Sequence, residues 1–187
     1  MQTSRPSLEQ PVLWQLPMVA KVLINQVVFL ALHYAYDFFP SLLTTLFSGI
    51  NESVFQHMKI SYFAYMLTNV IEMLIVRKKR KVKNALAARL FSTTLFPCIM
   101  LLVFLLPPAI AGKVESVLLE IILANIVLLV TCVMVILVER ELDRIHLSTT
   151  FLIVSLLLFL ISGFLYIIFT FQLPWFDVFA IPPGWET

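Results

Sequence analysis

The sequence predicts an all-α integral membrane bundle of about five transmembrane helices in a single domain, and three observations predict it. Of 187 residues, 60% are hydrophobic and only 13% are charged, a balance too apolar for a soluble domain of this size. Five segments reach the ~20 apolar residues that a helix needs to cross the hydrocarbon core. The basic residues gather on alternate links between those segments, the pattern of a multi-pass chain obeying the positive-inside rule.

The first segment, 17–38, follows a polar stretch in which Arg5 is the sole basic residue. No small-residue cleavage site precedes it, so a removed signal peptide is not expected. The link "PSLLTTLFSGIN" is apolar but about half the spanning length, which places it as a short interfacial or re-entrant piece between the first two helices. The second segment, 53–76, has Asn51 as a good N-cap, with Glu52 placed to complement the helix dipole. In the third, 88–108, Pro97 is expected to kink the helix and Pro107 and Pro108 to end it. The fourth covers 115–138, and the mixed-charge "ERELDRIH" after it reads as a solvated helical turn. In the fifth, 148–172, Ser155, Ser162 and Gly163 read as a close-packing seam. Residues 173–187 form a tail. Cys98 and Cys132 sit in separate apolar runs without metal-ligand spacing and read as small core residues.

Orientation follows from the lysines and arginines. The run Arg77 to Lys83 with Arg89 flanks the link between the second and third segments, Arg140 and Arg144 lie between the fourth and fifth, and Arg5 and Lys21 belong to the first. Only Lys59 and Lys113 of the thirteen basic residues fall on the other side. The protein is therefore expected in the cell (plasma) membrane with a cytoplasmic amino terminus and an extracytoplasmic carboxyl terminus. The basic run "RKKRKVK" suffices as a topology determinant, and no nucleic-acid partner is expected.

Polar groups within spans are costly and turn toward the bundle interior, where they mark function. At 100° per residue, Ser53, His57, Ser61, Tyr65, Thr68 and Glu72 form one polar stripe along the second helix. In the first, His33 and Asp37 lie one turn apart, with Gln26 near the same face. His33, His57 and Glu120 share a depth roughly 8–10 Å from the outer helix ends at 1.5 Å per residue, with Asp37 and Glu52 just above. The candidate site is thus His33, Asp37, Glu52, His57 and Glu120, although helical spacing alone points Glu52 and His57 in different directions. Imidazoles and carboxylates suit a divalent transition ion such as zinc, iron or manganese. They serve equally as a proton relay or cation site. Glu72 stands alone near the cytoplasmic end.

The stretches "HYAYD" (33–37) and "NESVFQHMK" (51–59) resemble motifs of a family of small bacterial and archaeal membrane proteins catalogued as a domain of unknown function, in which an HxxYE-like element precedes NESVWEHLK. Glu72, Glu120 and the closing "FTFQLPWFDVFAIPPG" resemble its later motifs. Gln56 departs from the family's acidic residue, and Trp175 follows a single proline where Pro-Pro-His is expected. The resemblance implies a compact multi-helix membrane protein and supplies no activity.

Three readings compete. One is a membrane protein whose outward-facing site binds a metal ion or handles protons or cations. Another is an accessory subunit of a larger membrane complex, or a homo-oligomer, in which the stripe glues helices together. The third is a membrane-embedded, metal-dependent hydrolase, since two imidazoles and nearby carboxylates can activate water. No GxSxG, HExxH or Gly-rich phosphate loop supports soluble-enzyme chemistry.

Overall fold

Apart from one short 3-10 turn, regular structure is entirely α-helical in the computed structural model, which describes residues 15–76, 82–112, 116–172, 174 and 177–181. The first fourteen residues, the run Arg77–Lys81, Lys113 and most of the tail lie outside the described residues. Six helices follow in order: α1 Met18–Phe38, α2 Leu42–Phe47, α3 Val54–Ile75, α4 Val82–Ala111, α5 Val117–Arg144 and α6 Thr149–Phe171. Four of them, α1, α4, α5 and α6, are long and apolar enough to cross a membrane. The protein is accordingly a multi-pass membrane protein in contact with lipid.

α3 explains the arrangement. It matches the others in length, but Lys59, Ser61, Thr68, Asn69 and Glu72 are all buried along it. Such a helix is stable in an apolar medium only when neighbours cover it and satisfy its polar groups. α1 and α4 flank it along its length, and α2, α6 and the 3-10 turn Asp177–Phe179 make smaller contacts. Ile60 and Ala64 of α3 meet Phe29 of α1, Phe96 of α4 and Cys132 and Val135 of α5 in the main core. α6 is apolar nearly all round and buries only Ser155 and Thr170, so most of its surface faces lipid.

The chain's punctuation differs from the expectations in three places, each with a local cause. Ser53, not Asn51, caps α3: its hydroxyl accepts from Gln56 N at 3.3 Å, while Asn51 Oδ1 accepts from Ser53 N at 3.0 Å. Glu52 is therefore outside the helix. α4 runs through Pro107 and Pro108 to Ala111 and stops where Gly112 adopts φ 75° and donates to Pro108 O at 3.0 Å. A glycine in the left-handed region is a strong stop; Pro107 and Pro108 withhold the donors that the Val103 and Phe104 carbonyls would otherwise receive but do not end the helix. α5 continues past 138 to Arg144, taking most of "ERELDRIH" into a membrane-length helix.

The short link forms α2 on a capping box between Ser41 and Thr44. No α2 residue is buried, and Phe38, Phe39, Leu42 and Leu43 are exposed around it. An amphiphilic, six-residue helix with this apolar rim suits the interface. Lys59 reaches Thr45 O at 2.9 Å and Thr170 Oγ1 at 3.1 Å, tying α2 and α6 to α3. At the seam on α6, Tyr62 donates to Phe159 O at 2.7 Å, and a Cβ on Gly163 would lie 3.2 Å from the Tyr62 hydroxyl.

Candidate functional site: a histidine–carboxylate cluster and a buried ionic clamp

Two polar centres occupy opposite ends of the bundle. At one, His33 from α1, Glu52 from the α2–α3 link and His57 from the first turns of α3 meet, their ligand atoms all within 4.8 Å of one another. His33 Nε2 lies 3.6 Å from Glu52 Oε1, and His57 Nε2 lies 3.4 Å from Glu52 Oε2. The helical-angle argument separated Glu52 from His57, but it applies only within a helix. Because Ser53 is the cap, Glu52 lies outside the helix, in a bend, and its carboxylate approaches both rings.

The surroundings fix both imidazoles. His57 Nδ1 lies 2.9 Å from Ser53 O, an acceptor, so Nδ1 carries a proton, and Nε2 is the ring nitrogen that faces Glu52. His33 stacks at 6.2 Å on Phe29, meets Tyr34 edge-on at 4.7 Å and approaches the His57 ring at 5.3 Å. Its Nδ1 is buried without a hydrogen-bond partner among the described residues. The His57 imidazole beside Glu52, with burial opposing and His33 assisting, holds the carboxyl below the usual carboxylate range. Glu52 is thus an anion between two rings at neutral pH.

The two contacts run to different oxygens of Glu52 and are longer than a good N–H···O bond of about 2.7–3.2 Å. One ligand atom from each of the three residues falls within 4.8 Å of the others, close enough to face one ion. The Nδ1 contact to a backbone carbonyl is also the usual support for a metal-ligating histidine.

The other sequence candidates lie differently. Glu120 is exposed in the first turn of α5 and lines, with His33, Glu52 and His57, a cavity of about 240 Å³. It is not a member of the three-residue cluster. Asp37 is exposed near the end of α1 and is likewise outside the cluster. The stripe on α3 faces protein: Ser61 donates to Met58 O at 2.7 Å, Thr68 to Ala64 O at 2.8 Å, and Tyr65 leads to the second centre.

That second centre was not legible as a unit in the sequence. Glu72 is far from alone: Lys21 Nζ reaches its Oε2 at 2.8 Å and Glu139 Oε1 at 2.5 Å. Arg89 bridges Glu72 at 3.1 Å, Glu139 at 3.3 Å and Asp143 at 2.6 Å. Tyr65 donates to Glu139 Oε2 at 2.9 Å, and Gln15 to Asp143 Oδ2 at 2.5 Å. Lys21, Glu72, Arg89 and Glu139 are all 1–2% exposed. Four helices, α1, α3, α4 and α5, are thereby pinned at one point.

Fold and site together define the class, a polytopic helical membrane protein with a His/Glu group at one end and an ionic clamp at the other. Compared with protein-family models, curated proteins and solved structures, the chain finds no match.

Proposed function

We propose that the protein is a five-span membrane protein that binds a divalent transition ion of the zinc class at an outward-facing site made by His33, Glu52 and His57. The observation that carries this reading is the convergence of one ligand atom each from His33, Glu52 and His57 within 4.8 Å of one another. α3 is the fifth span, shielded by the four apolar helices. Lys21, Arg89, Arg140 and Arg144 belong to the ionic end, so the positive-inside rule makes that end cytoplasmic and the histidine end external. The two stretches that resemble the family of unknown function, 33–37 and 51–59, supply all three ligands.

Binding is favoured over passage. Phe29, Ile60, Ala64 and Met100 pack in the apolar core that lies inward of the histidines, on the way to the ionic clamp. Three protein ligands would leave a bound ion a position for water or a substrate oxygen, as in catalytic rather than structural zinc sites. The three side chains line the cavity shared with Glu120, which favours the hydrolase reading as the activity to be screened.

The test is metal content after purification in mild detergent and equilibrium dialysis against zinc. Wild type should hold about one ion per chain, and His57→Ala and Glu52→Gln should weaken binding at least tenfold. Equal content in all three proteins would remove the site.

A further inference from the structure

The cavity at the histidine end has a direction. Its floor is buried and apolar, formed by Phe29 of α1, Met100 of α4 and Val127 and Leu128 of α5. Its sides are not buried: Leu30 and Tyr34 of α1, and Ile121 and Asn125 of α5, are exposed. α5 is joined to the α1 segment at the other end, through Lys21–Glu139, Gln15–Asp143 and Arg140–Leu16. The two helices are thus clamped at the ionic end and leave a cleft between them at the histidine end. From Glu120 to Leu128 the cleft runs about 12 Å along α5, close to the ~15 Å depth of one bilayer leaflet.

A cleft of this kind opens sideways. Leu118, Ile122 and Ile126 beside its α5 wall, and Val27 beside its α1 wall, are exposed apolar residues that form the lipid-facing belt. A ligand reaches the floor from the hydrocarbon without crossing water. The ionisable groups gather toward the outer end, where His33, Glu52, His57 and Glu120 line the mouth; Asn125 lies deeper, its Nδ2 donating to Ile121 O at 2.8 Å. Apolar depth, lateral access and a polar mouth at head-group level are the negative of a lipid. Two carboxylates, Glu52 and Glu120, disfavour a net anionic head group and favour one that carries an ammonium.

We propose that this cleft binds one acyl chain of a zwitterionic bilayer phospholipid, entering between α1 and α5, with the head group drawn to the histidine–carboxylate cluster. The chain's seat stands on the cleft alone; the head group's anchoring rests on the metal reading, a phosphate or ester oxygen taking the open coordination position while the ammonium faces Glu120.

The experiment uses the full chain in nanodiscs doped with a phosphatidylcholine that carries a photoreactive diazirine midway along one acyl chain. Photolysis and peptide mapping should concentrate label on Phe29, Met100 and Leu128 over the lipid-facing surface of α6. Ala124→Trp, which fills the cleft from α5, should lower that labelling at least fivefold while metal content and thermal stability hold; Leu101→Trp from α4 serves if the first variant is unstable. Uniform labelling over α6 and the cleft, or undiminished labelling in a stable filled variant, would overturn the proposal. His57→Ala should lose the ion yet keep label at the floor, so loss of the metal reading leaves a different signature from loss of the lipid site. Glu120→Gln should reduce the preference for the phosphatidylcholine probe over a phosphatidylglycerol probe. Equal labelling by a photoreactive free fatty acid would overturn the assignment of a phospholipid.

Discussion

Arg89→Leu is expected to be the most destabilising single change in the bundle, and its magnitude follows from what the guanidinium holds. It reaches Glu72 at 3.1 Å, Glu139 at 3.3 Å and Asp143 at 2.6 Å, with side-chain exposures of 1%, 2% and 10% for those three residues. Removing it takes one cation from three carboxylates, two of which, Glu72 and Glu139, still face Lys21. Breaking a buried ion pair from one side costs about 3–5 kcal/mol. At about 2–4 °C per kcal/mol for a chain of this size, the midpoint should fall by about 6–20 °C. Arg144→Ala is the control, because its 2.5 Å contact to Glu141 is 48% and 68% exposed and such pairs contribute about 0–1 kcal/mol. Replacing Arg89 and Glu72 together by leucine should recover part of the loss, since the double change removes an uncompensated charge with its partner. The assay is thermal unfolding in detergent in a Cys98→Ser background, because Cys98 is exposed, followed by thiol-reactive dye at buried Cys132. A fall for Arg89→Leu no larger than for Arg144→Ala, or a double variant as unstable as the two single losses added, would refute the clamp.

Three further outcomes are expected. Zinc affinity should rise steeply between about pH 5 and pH 7, because the imidazoles must shed protons to ligate. Glu52, held below the usual carboxylate range by His57, stays ionised across that interval. Its own contribution to the folded state is complete above the ordinary carboxylate pKa and is lost only as pH falls through the lowered value; dialysis at stepped pH separates the two. Ser53→Ala should cost about 1 kcal/mol through loss of the α3 cap, visible as a shift of a few degrees in the same melt, and should also loosen metal binding because Glu52 is positioned by that cap. Gly163→Val should cost about 1–3 kcal/mol by overpacking, since even a Cβ would sit 3.2 Å from the Tyr62 hydroxyl; an unchanged melt would show that the α3–α6 seam yields freely.

How much of this was legible in the sequence depends on which rule governed each residue. Apolar length identified the helical membrane class because α1, α4, α5 and α6 carry their apolar residues in unbroken runs. The polar stripe of α3 was visible for the opposite reason: Ser61, Tyr65, Thr68 and Glu72 recur at helical spacing. Glu52 joined the candidates by depth, yet its partnership with His57 was obscured, because the angle rule assumed a helix that begins two residues later. The ionic clamp was missed through the same counting that gave the orientation. Lys21 and Arg89 lie inside the first and third apolar segments but count there only toward orientation, while Glu139, Arg140 and Asp143 read as a solvated turn. Hydropathy windows end where charges begin, whereas α5 runs to Arg144, which brings Glu139, Arg140 and Asp143 inside a helix. The signal that could have found it was Glu139 and Asp143, four apart on one face of a continuing helix.

X-ray absorption at the zinc edge of the purified, zinc-dialysed protein tests the central claim most directly. The account predicts a first shell of nitrogen and oxygen at about 2.0–2.2 Å, with outer-shell scattering from two imidazoles that falls to one in His33→Ala or His57→Ala. A spectrum with no imidazole scattering, or one that neither substitution changes, would contradict it.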